Sequence, residues 1–254
     1  MPEPTVVITG ASRGIGAATA QVLAEQGWRV VVADLDLDAA RDRVADLPKH
    51  TGDTVEHLAV RVDVTDEASV QSMFEAIDRE IGRLDALVNN AGVISRQPAE
   101  DFDSRSWAQQ LDVHLTGAMH CSRGAYPFLA KSERASIVNI ASVGSTFGLP
   151  GRLAYATAKS GVLGLTRTLA VEWGPAGIRV NAVAPGYVAT EMVRSGLRSG
   201  SLDERALIRR TPLRRLAEPA EIAKAISFLL SPEASFVHGT TLRVDGGITI
   251  DGTF

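Results

Sequence analysis

The opening of the chain leaves it few folds to choose from. Residues 5–9, Thr-Val-Val-Ile-Thr, form a short, β-branched, continuously apolar run, the pattern of a strand buried on both faces. Gly10-Ala-Ser-Arg-Gly14-Ile-Gly16 follows at once, and residues 17–26 then read as a helix closed by Gly27. A strand of this kind must be covered above and below, so the chain is expected to build a parallel sheet between helical layers. The glycines also let the backbone approach a bound group, and the helix N-terminus presents N–H groups to it. The turn is therefore a candidate seat for the pyrophosphate of a dinucleotide, with a plain tight connection as the competing reading.

The rest of the chain repeats the alternation. Strands are expected at 28–33, 55–62, 84–89, 137–141, 178–184 and 240–244. Helices are expected at 37–47 (ended by Pro48), 66–81, 102–130 (interrupted near its end by Pro127), 153–173 and 218–230 (Pro219 in its first turn). A polar segment, 191–215, carries seven arginines between Arg194 and Arg215, where the only acids are Asp203 and Glu204. There is no internal repeat and no linker-like break. This is the pattern of α/β architecture: one doubly wound domain over 1–254, with a parallel sheet, helices on both faces and right-handed crossovers.

In such sheets ligands bind beyond the carboxyl ends of the strands. Gly10, Asp34, Asp63, Asn90, Ser142 and Pro185 all stand there. Asp34 comes 18 residues after Gly16, about where an acid would hold a ribose 2′-hydroxyl, although Asp36 and Asp38 crowd the same turn as a helix opening would. Tyr155 and Lys159 are four apart, hence on one helical face a turn apart. Lys159 is expected to pull the Tyr155 phenol below its reference pKa of about 10, making it a general acid or base. The Ser142 hydroxyl could hydrogen-bond the oxygen that Tyr155 serves.

Composition narrows the partners. A net charge of −4 offers no broad basic surface, so nucleic acid is not an expected partner. No apolar run reaches membrane-spanning length, and Met1-Pro-Glu-Pro leads straight into a strand with no room for a signal peptide. The single cysteine, Cys121, excludes an internal disulfide framework and reads as core packing. These features point to a cytoplasmic protein. No metal site is assigned.

Taken together, Thr9-Gly-Ala-Ser-Arg-Gly-Ile-Gly16, Asn89-Asn-Ala-Gly92, Ser142, Tyr155-Ala-Thr-Ala-Lys159 and Pro185-Gly186 resemble the short-chain dehydrogenase/reductase family over essentially the whole chain. The resemblance implies a seven-stranded Rossmann-type sheet and a nicotinamide cofactor. It makes Tyr155 the acid/base, Ser142 the group that orients the substrate oxygen, and Lys159 a ligand of the nicotinamide ribose. It places Gly10, Ser12, Arg13, Gly14 and Ile15 around the pyrophosphate and adenosine, Asp63 and Val64 beside the adenine, and Asn90, Ala91 and Gly92 at the ribose. Ile140, Pro185, Gly186, Val188 and Thr190 would line the nicotinamide end. It also implies a homotetramer assembled through the long helices, and a flap over the substrate at 191–215.

One position departs from the family. Where its members usually carry an asparagine, in a segment like Asn-x-x-Gly, this chain has His114 in Asp112-Val-His-Leu-Thr-Gly117. His114 is expected to be neutral, because burial and Lys159 both lower its pKa, and to act as a hydrogen-bonding relay or merely fill the helix. The expected activity is hydride transfer between NAD, rather than NADP, and a small secondary alcohol or ketone. Asp34 argues for NAD through repulsion of a 2′-phosphate, against which Arg13 acts. Sugars, polyols and sugar acids are placed ahead of 3-oxoacyl thioesters. An inactive nucleotide-binding scaffold, and an epimerase or dehydratase using the cofactor transiently, are the other readings. Arg96 and Arg152 should face the substrate, one of them holding a carboxylate or a polyhydroxylated compound through its guanidinium fork.

Overall fold

The protein, seen in a computed structural model, is described over residues 3–48 and 56–252. Seven parallel strands form one sheet: β1 (Thr5–Thr9), β2 (Arg29–Asp34), β3 (Leu58–Arg61), β4 (Ala86–Asn89), β5 (Ser136–Ile140), β6 (Arg179–Pro185) and β7 (Thr241–Val244), in the order β3-β2-β1-β4-β5-β6-β7. The order reverses between β1 and β4, which opens a crevice at their carboxyl ends. The expected α/β fold class is the one observed. The third strand is shorter than its apolar run, and Val55, where that expectation began, lies outside the described residues.

Pleating explains why the central strands read as continuous apolar runs. Val6, Ile8, Val30, Val32, Val88 and Val138 face one helical layer, packing against Leu23, Ile222, Ile226 and Leu229. Val7, Val31, Leu87, Ile137 and Val180 face the other, against Met73, Phe74, Ile77, Cys121 and Leu129. The first layer comes from α1 (Gly14–Glu25), α2 (Leu37–Asp46) and α9 (Pro219–Leu230); the second comes from α3 (Glu67–Glu80), α4 (Ser104–Leu111), α5 (Gly117–Leu129) and α6 (Leu153–Trp173). Two short helices, α7 (Glu191–Arg198) and α8 (Glu204–Arg210), occupy the arginine-rich segment.

Two expectations for the long helix need correction. The stretch expected at 102–130 is divided: α4 passes through one turn of π-helix, Asp112–Thr116, before continuing as α5. Pro127 does not break it. It lies inside the final turn of α5, where a missing N–H forgoes only the bond to residue 123, and the helix runs on to Leu129.

Candidate active site

The carboxyl edge of the sheet opens into a cleft of about 660 Å³. Gly10, Arg13, Gly14, Ile15, Asp34, Asp63, Val64, Asn90, Ala91, Gly92, Ile140, Pro185, Gly186, Val188 and Thr190 all line it, together with Ser142, Tyr155, Lys159 and His114. Ser12 is the exception among the expected residues. Its N–H and hydroxyl both donate to Asp34 Oδ2 (3.0 and 2.6 Å), so it positions the acid. Asn90 lines the cleft, yet its amide donates to the carbonyls of Thr9 and Gly10 (2.9 and 2.8 Å) and so fastens the glycine turn to β4.

Helix caps separate the cleft from the rest of the molecule. α2, α3, α4 and α8 each have an aspartate accepting from a first-turn N–H: Asp36, Asp66, Asp103 and Asp203. α1, α6 and α7 begin at the cleft behind Arg13, Arg152 and Thr190, and none has a side-chain cap. The first N–H groups of α1 are thus free of side-chain partners where a pyrophosphate would be received. Gly14, at φ +59°, leaves the approach open, since a Cβ there would stand 3.5 Å from Thr190 Cγ2 and narrow the passage. These residues fit a dinucleotide.

At the other end of the cleft lie the chemical groups. β5 delivers Ser142 to its end, and the first turns of α6 deliver Tyr155 and Lys159. The Ser142 hydroxyl accepts from the Gly144 N–H at 3.1 Å and acts on the Tyr155 phenol to lower its pKa. Lys159 Nζ donates to the Ile140 carbonyl at 2.6 Å and sits 5.8 Å from the centre of the Tyr155 ring. Burial pushes the Lys159 ammonium down to about 7. The expected influence of Lys159 on Tyr155 is therefore corrected. Burial raises the phenol above its ordinary value, and what opposes the rise is the Ser142 hydrogen bond with the charges of Arg152 and Arg96. Lys159 is turned toward a carbonyl and half inclined to be neutral, which is why it does not lead the effect.

His114 lies in the π-turn, buried, with its ring edge-on to Tyr155 at 5.2 Å between centroids. Burial, then Lys159, lowers its pKa to about 3, so it is neutral as expected. Nε2 lies 2.6 Å from the Val93 carbonyl and 3.3 Å from the Val93 N–H; the shorter contact assigns the proton to Nε2 and the acceptor role to Nδ1, which is buried without a hydrogen-bond partner. Gly92 makes this possible: a Cβ there would lie 2.6 Å from His114 Cε1. The apolar lining, including Val93, Ile94, Leu149, Tyr187, Met192 and Leu202, went unforeseen beyond the flap itself, because single apolar residues in loops carry no periodic signal. Among the described residues there is no cluster that could hold a metal ion, and no helix is long and apolar enough to cross a membrane.

A parallel sheet with this strand order, a glycine turn feeding α1, and a serine, tyrosine and lysine at one edge define a dinucleotide-type oxidoreductase fold. The family described as enoyl-(acyl carrier protein) reductase matches residues 10–249. The chain is 43% identical to a cis-4-hydroxycyclohexanecarboxylate dehydrogenase of Sinomonas cyclohexanicum, over 97% of each chain. It is 38% identical to a D-threitol dehydrogenase of Mycolicibacterium smegmatis, over 96% of this chain and 92% of that one. The solved structure of levodione reductase superposes with a TM-score of 0.91 at 34% identity, covering 97% of this chain and 98% of that one. The chain belongs to the short-chain dehydrogenase/reductase family. It is an oxidoreductase of that family, and the family implies a nicotinamide cofactor.

Proposed function

We propose that this protein interconverts a secondary alcohol and its ketone on a polyol, sugar acid or other hydroxy acid, with NAD(H) as coenzyme. The observation that carries the reading is the meeting of Ser142, Tyr155 and Lys159 in one cleft with the uncapped N-terminus of α1. The nicotinamide nucleotide, when bound, supplies or accepts the hydride. Ser142 and Tyr155 grip the substrate oxygen by hydrogen bonds, and Tyr155 gives it a proton in reduction or removes one in oxidation. Lys159, anchored on the Ile140 carbonyl beside the Tyr155 ring, would hold the ribose hydroxyls of the bound nucleotide. His114 offers its free Nδ1 acceptor beside Tyr155 as a proton-relay group.

Asp34 supports NAD. Ser12 holds its carboxylate at the cleft wall, where it would accept from ribose hydroxyls. A 2′-phosphate about 4 Å away would meet a repulsion of about 4 kcal/mol per charge pair at an effective dielectric near 20. The activities of the two relatives, one a hydroxy acid dehydrogenase and one a polyol dehydrogenase, support the substrate classes. A 35% identity to a 3-oxoacyl-[acyl-carrier-protein] reductase of Vibrio cholerae keeps 3-oxoacyl-thioester reduction as the second reading. A homotetramer paired through α4–α5 and α6 is in keeping with exposed Tyr126, Leu153 and Val171 on those helices. The buried free thiol of Cys121 suits a cytoplasmic setting.

The test is a screen of polyols, hydroxy acids and 3-oxoacyl thioesters, followed by cofactor absorbance with NAD(H) and NADP(H). Turnover of a polyol or hydroxy acid with a higher kcat/KM for NAD(H), relaxed in Asp34→Ala, is the expected result. Turnover confined to acyl thioesters would replace the substrate class, and a preference for NADPH would overturn the coenzyme.

A further inference from the structure

We propose that Arg96 and Arg152 together form a seat for a substrate carboxylate, so that the compound processed at Tyr155 is a hydroxy or oxo carboxylic acid with a hydrocarbon body rather than a neutral polyol. The inference rests on the oxidoreductase reading above and narrows its substrate.

The two arginines come from distant parts of the chain and are placed side by side by the backbone. Gln97 and Arg152 form an isolated parallel bridge, in which the Gln97 N–H donates to the Gly151 carbonyl at 3.0 Å. Arg152 is the residue before α6, on whose first turn Tyr155 lies. Both arginines line the cleft.

Each guanidinium is held but left short of partners. Arg96 Nη2 donates to the Met192 carbonyl of α7 at 3.0 Å, while its Nε is buried with no partner. Gly196 of α7 makes room for it, since a Cβ there would come within 3.1 Å of Arg96 Cζ. Arg152 Nη1 donates to the Pro150 carbonyl at 2.7 Å. Among the described residues neither arginine has a carboxylate at ion-pair distance. Glu191, the acid on that side of the cleft, is already paired with Arg198.

Confined like charges are costly. Burial, and then the charge of Arg152, lower the pKa of Arg96, the direction expected of a cation pair that lacks an anion. A carboxylate between them would relieve the repulsion and accept from the planar forks in the geometry guanidinium favours. The walls around the seat decide what the rest of the molecule looks like. Val93, Ile94, Leu149, Met192 and Leu202 would leave the hydroxyls of a polyol unpaired, whereas they suit an alkyl or carbocyclic body.

The experiment is a calorimetric titration of the protein, with and without NAD, using benzoate and benzamide as an unreactive pair of equal shape. It is run on wild type, Arg152→Met and Arg96→Lys, each first checked for a wild-type Tm. Wild type should bind benzoate at least about 10-fold more tightly than benzamide. Each variant should weaken benzoate by about 10- to 100-fold, the range charge-assisted hydrogen bonds carry, and bring the ratio toward one. The Arg96→Lys variant keeps the charge but loses the fork, so it reads the geometry separately. Equal binding of benzoate and benzamide, or benzoate affinity untouched by both substitutions, would overturn the seat. Displacement of benzoate by inorganic phosphate at equal concentration would overturn the assignment to carboxylate. Polyol oxidation without any preference for acids would remove the seat and leave the oxidoreductase standing. Benzoate discrimination in a protein that oxidises no alcohol would do the reverse.

Discussion

Asp85 and Lys159 are both buried charges at the ends of central strands, and the protein treats them in opposite ways. Asp85 lies at the amino edge of the sheet, just before β4, and is fully buried. Its oxygens accept from the Thr5 N–H, Arg83 Nε and Nη2, and the Ser132 hydroxyl, at 2.6 to 2.9 Å. Burial alone would raise its pKa, but these partners outweigh it and hold the carboxyl below its usual range. Lys159, at the carboxyl edge, has a single carbonyl and falls to about 7. Near it His114 Nδ1, and farther along the cleft Arg96 Nε, have no partner at all. The Asp85 cluster has its charge fully bonded and ties β1, β4 and β5 together; around Tyr155 bonding capacity is kept in reserve. Between these two places, complete bonding goes with the structural role and incomplete bonding with the cleft.

That division can be broken or sharpened by substitution. Tyr155→Phe should lower kcat by about 10²–10⁴-fold while leaving Tm and coenzyme binding near wild type. Stopped-flow turnover and a thermal melt read both sides, and activity within a few-fold of wild type would remove Tyr155 from the chemistry. Asp85→Ala should do the converse. It leaves Arg83 and the Thr5 N–H without their acceptor and should cost on the order of 3 kcal/mol, measured by urea unfolding. The acid contribution has the matching sign: because the folded pKa is depressed, stability from Asp85 is present above its unfolded value and is lost as pH falls through the folded one.

His114→Leu should reduce kcat by about 10- to 100-fold, since the Val93 carbonyl loses its donor and the cleft loses an acceptor beside Tyr155. His114→Asn should retain activity. With the imidazole neutral above about pH 3, the wild-type profile should show no step between about pH 6 and 9 that the two variants lack. Leucine rates equal to wild type across that range would reduce His114 to a packing residue. The smallest effect is the pH slope from Lys159. Its folded pKa, about 7, lies below the unfolded value, so the unfolded chain binds more protons and stability rises with pH. Between about pH 6 and 8 the nucleotide-free protein should gain about 1 kcal/mol from this group. Lys159→Met should erase that gain, and a slope of the same size in the variant would mean another group causes it.

The architecture could be read because buried parallel strands announce themselves. Thr5–Thr9 and Arg29–Asp34 need apolar side chains on both faces, and the glycines between strand and helix are local requirements of the backbone. The candidate site could be read to the extent that it hangs on strand ends, while the bonding of Ser12 to Asp34 could not. Boundaries inside the long helix could not, since one extra residue in a turn at Asp112–Thr116 barely disturbs a helical period. Nor could the pKa of Tyr155, which depends on burial and on arginines remote in sequence or orientation.

What the sequence by itself determined is therefore the sheet, its alternating helices and the edge on which chemistry-bearing residues gather, because local pattern and strand direction suffice for these. Which groups at that edge lack partners was decided by tertiary structure alone. The Gln97–Arg152 bridge pairs two arginines, Gly92 admits the His114 ring, and the Ile140 carbonyl fixes where the Lys159 ammonium sits. Each of these depends on distances between segments far apart in the chain, and electrostatics in a buried cleft follows distance and desolvation, which no spacing along a sequence encodes.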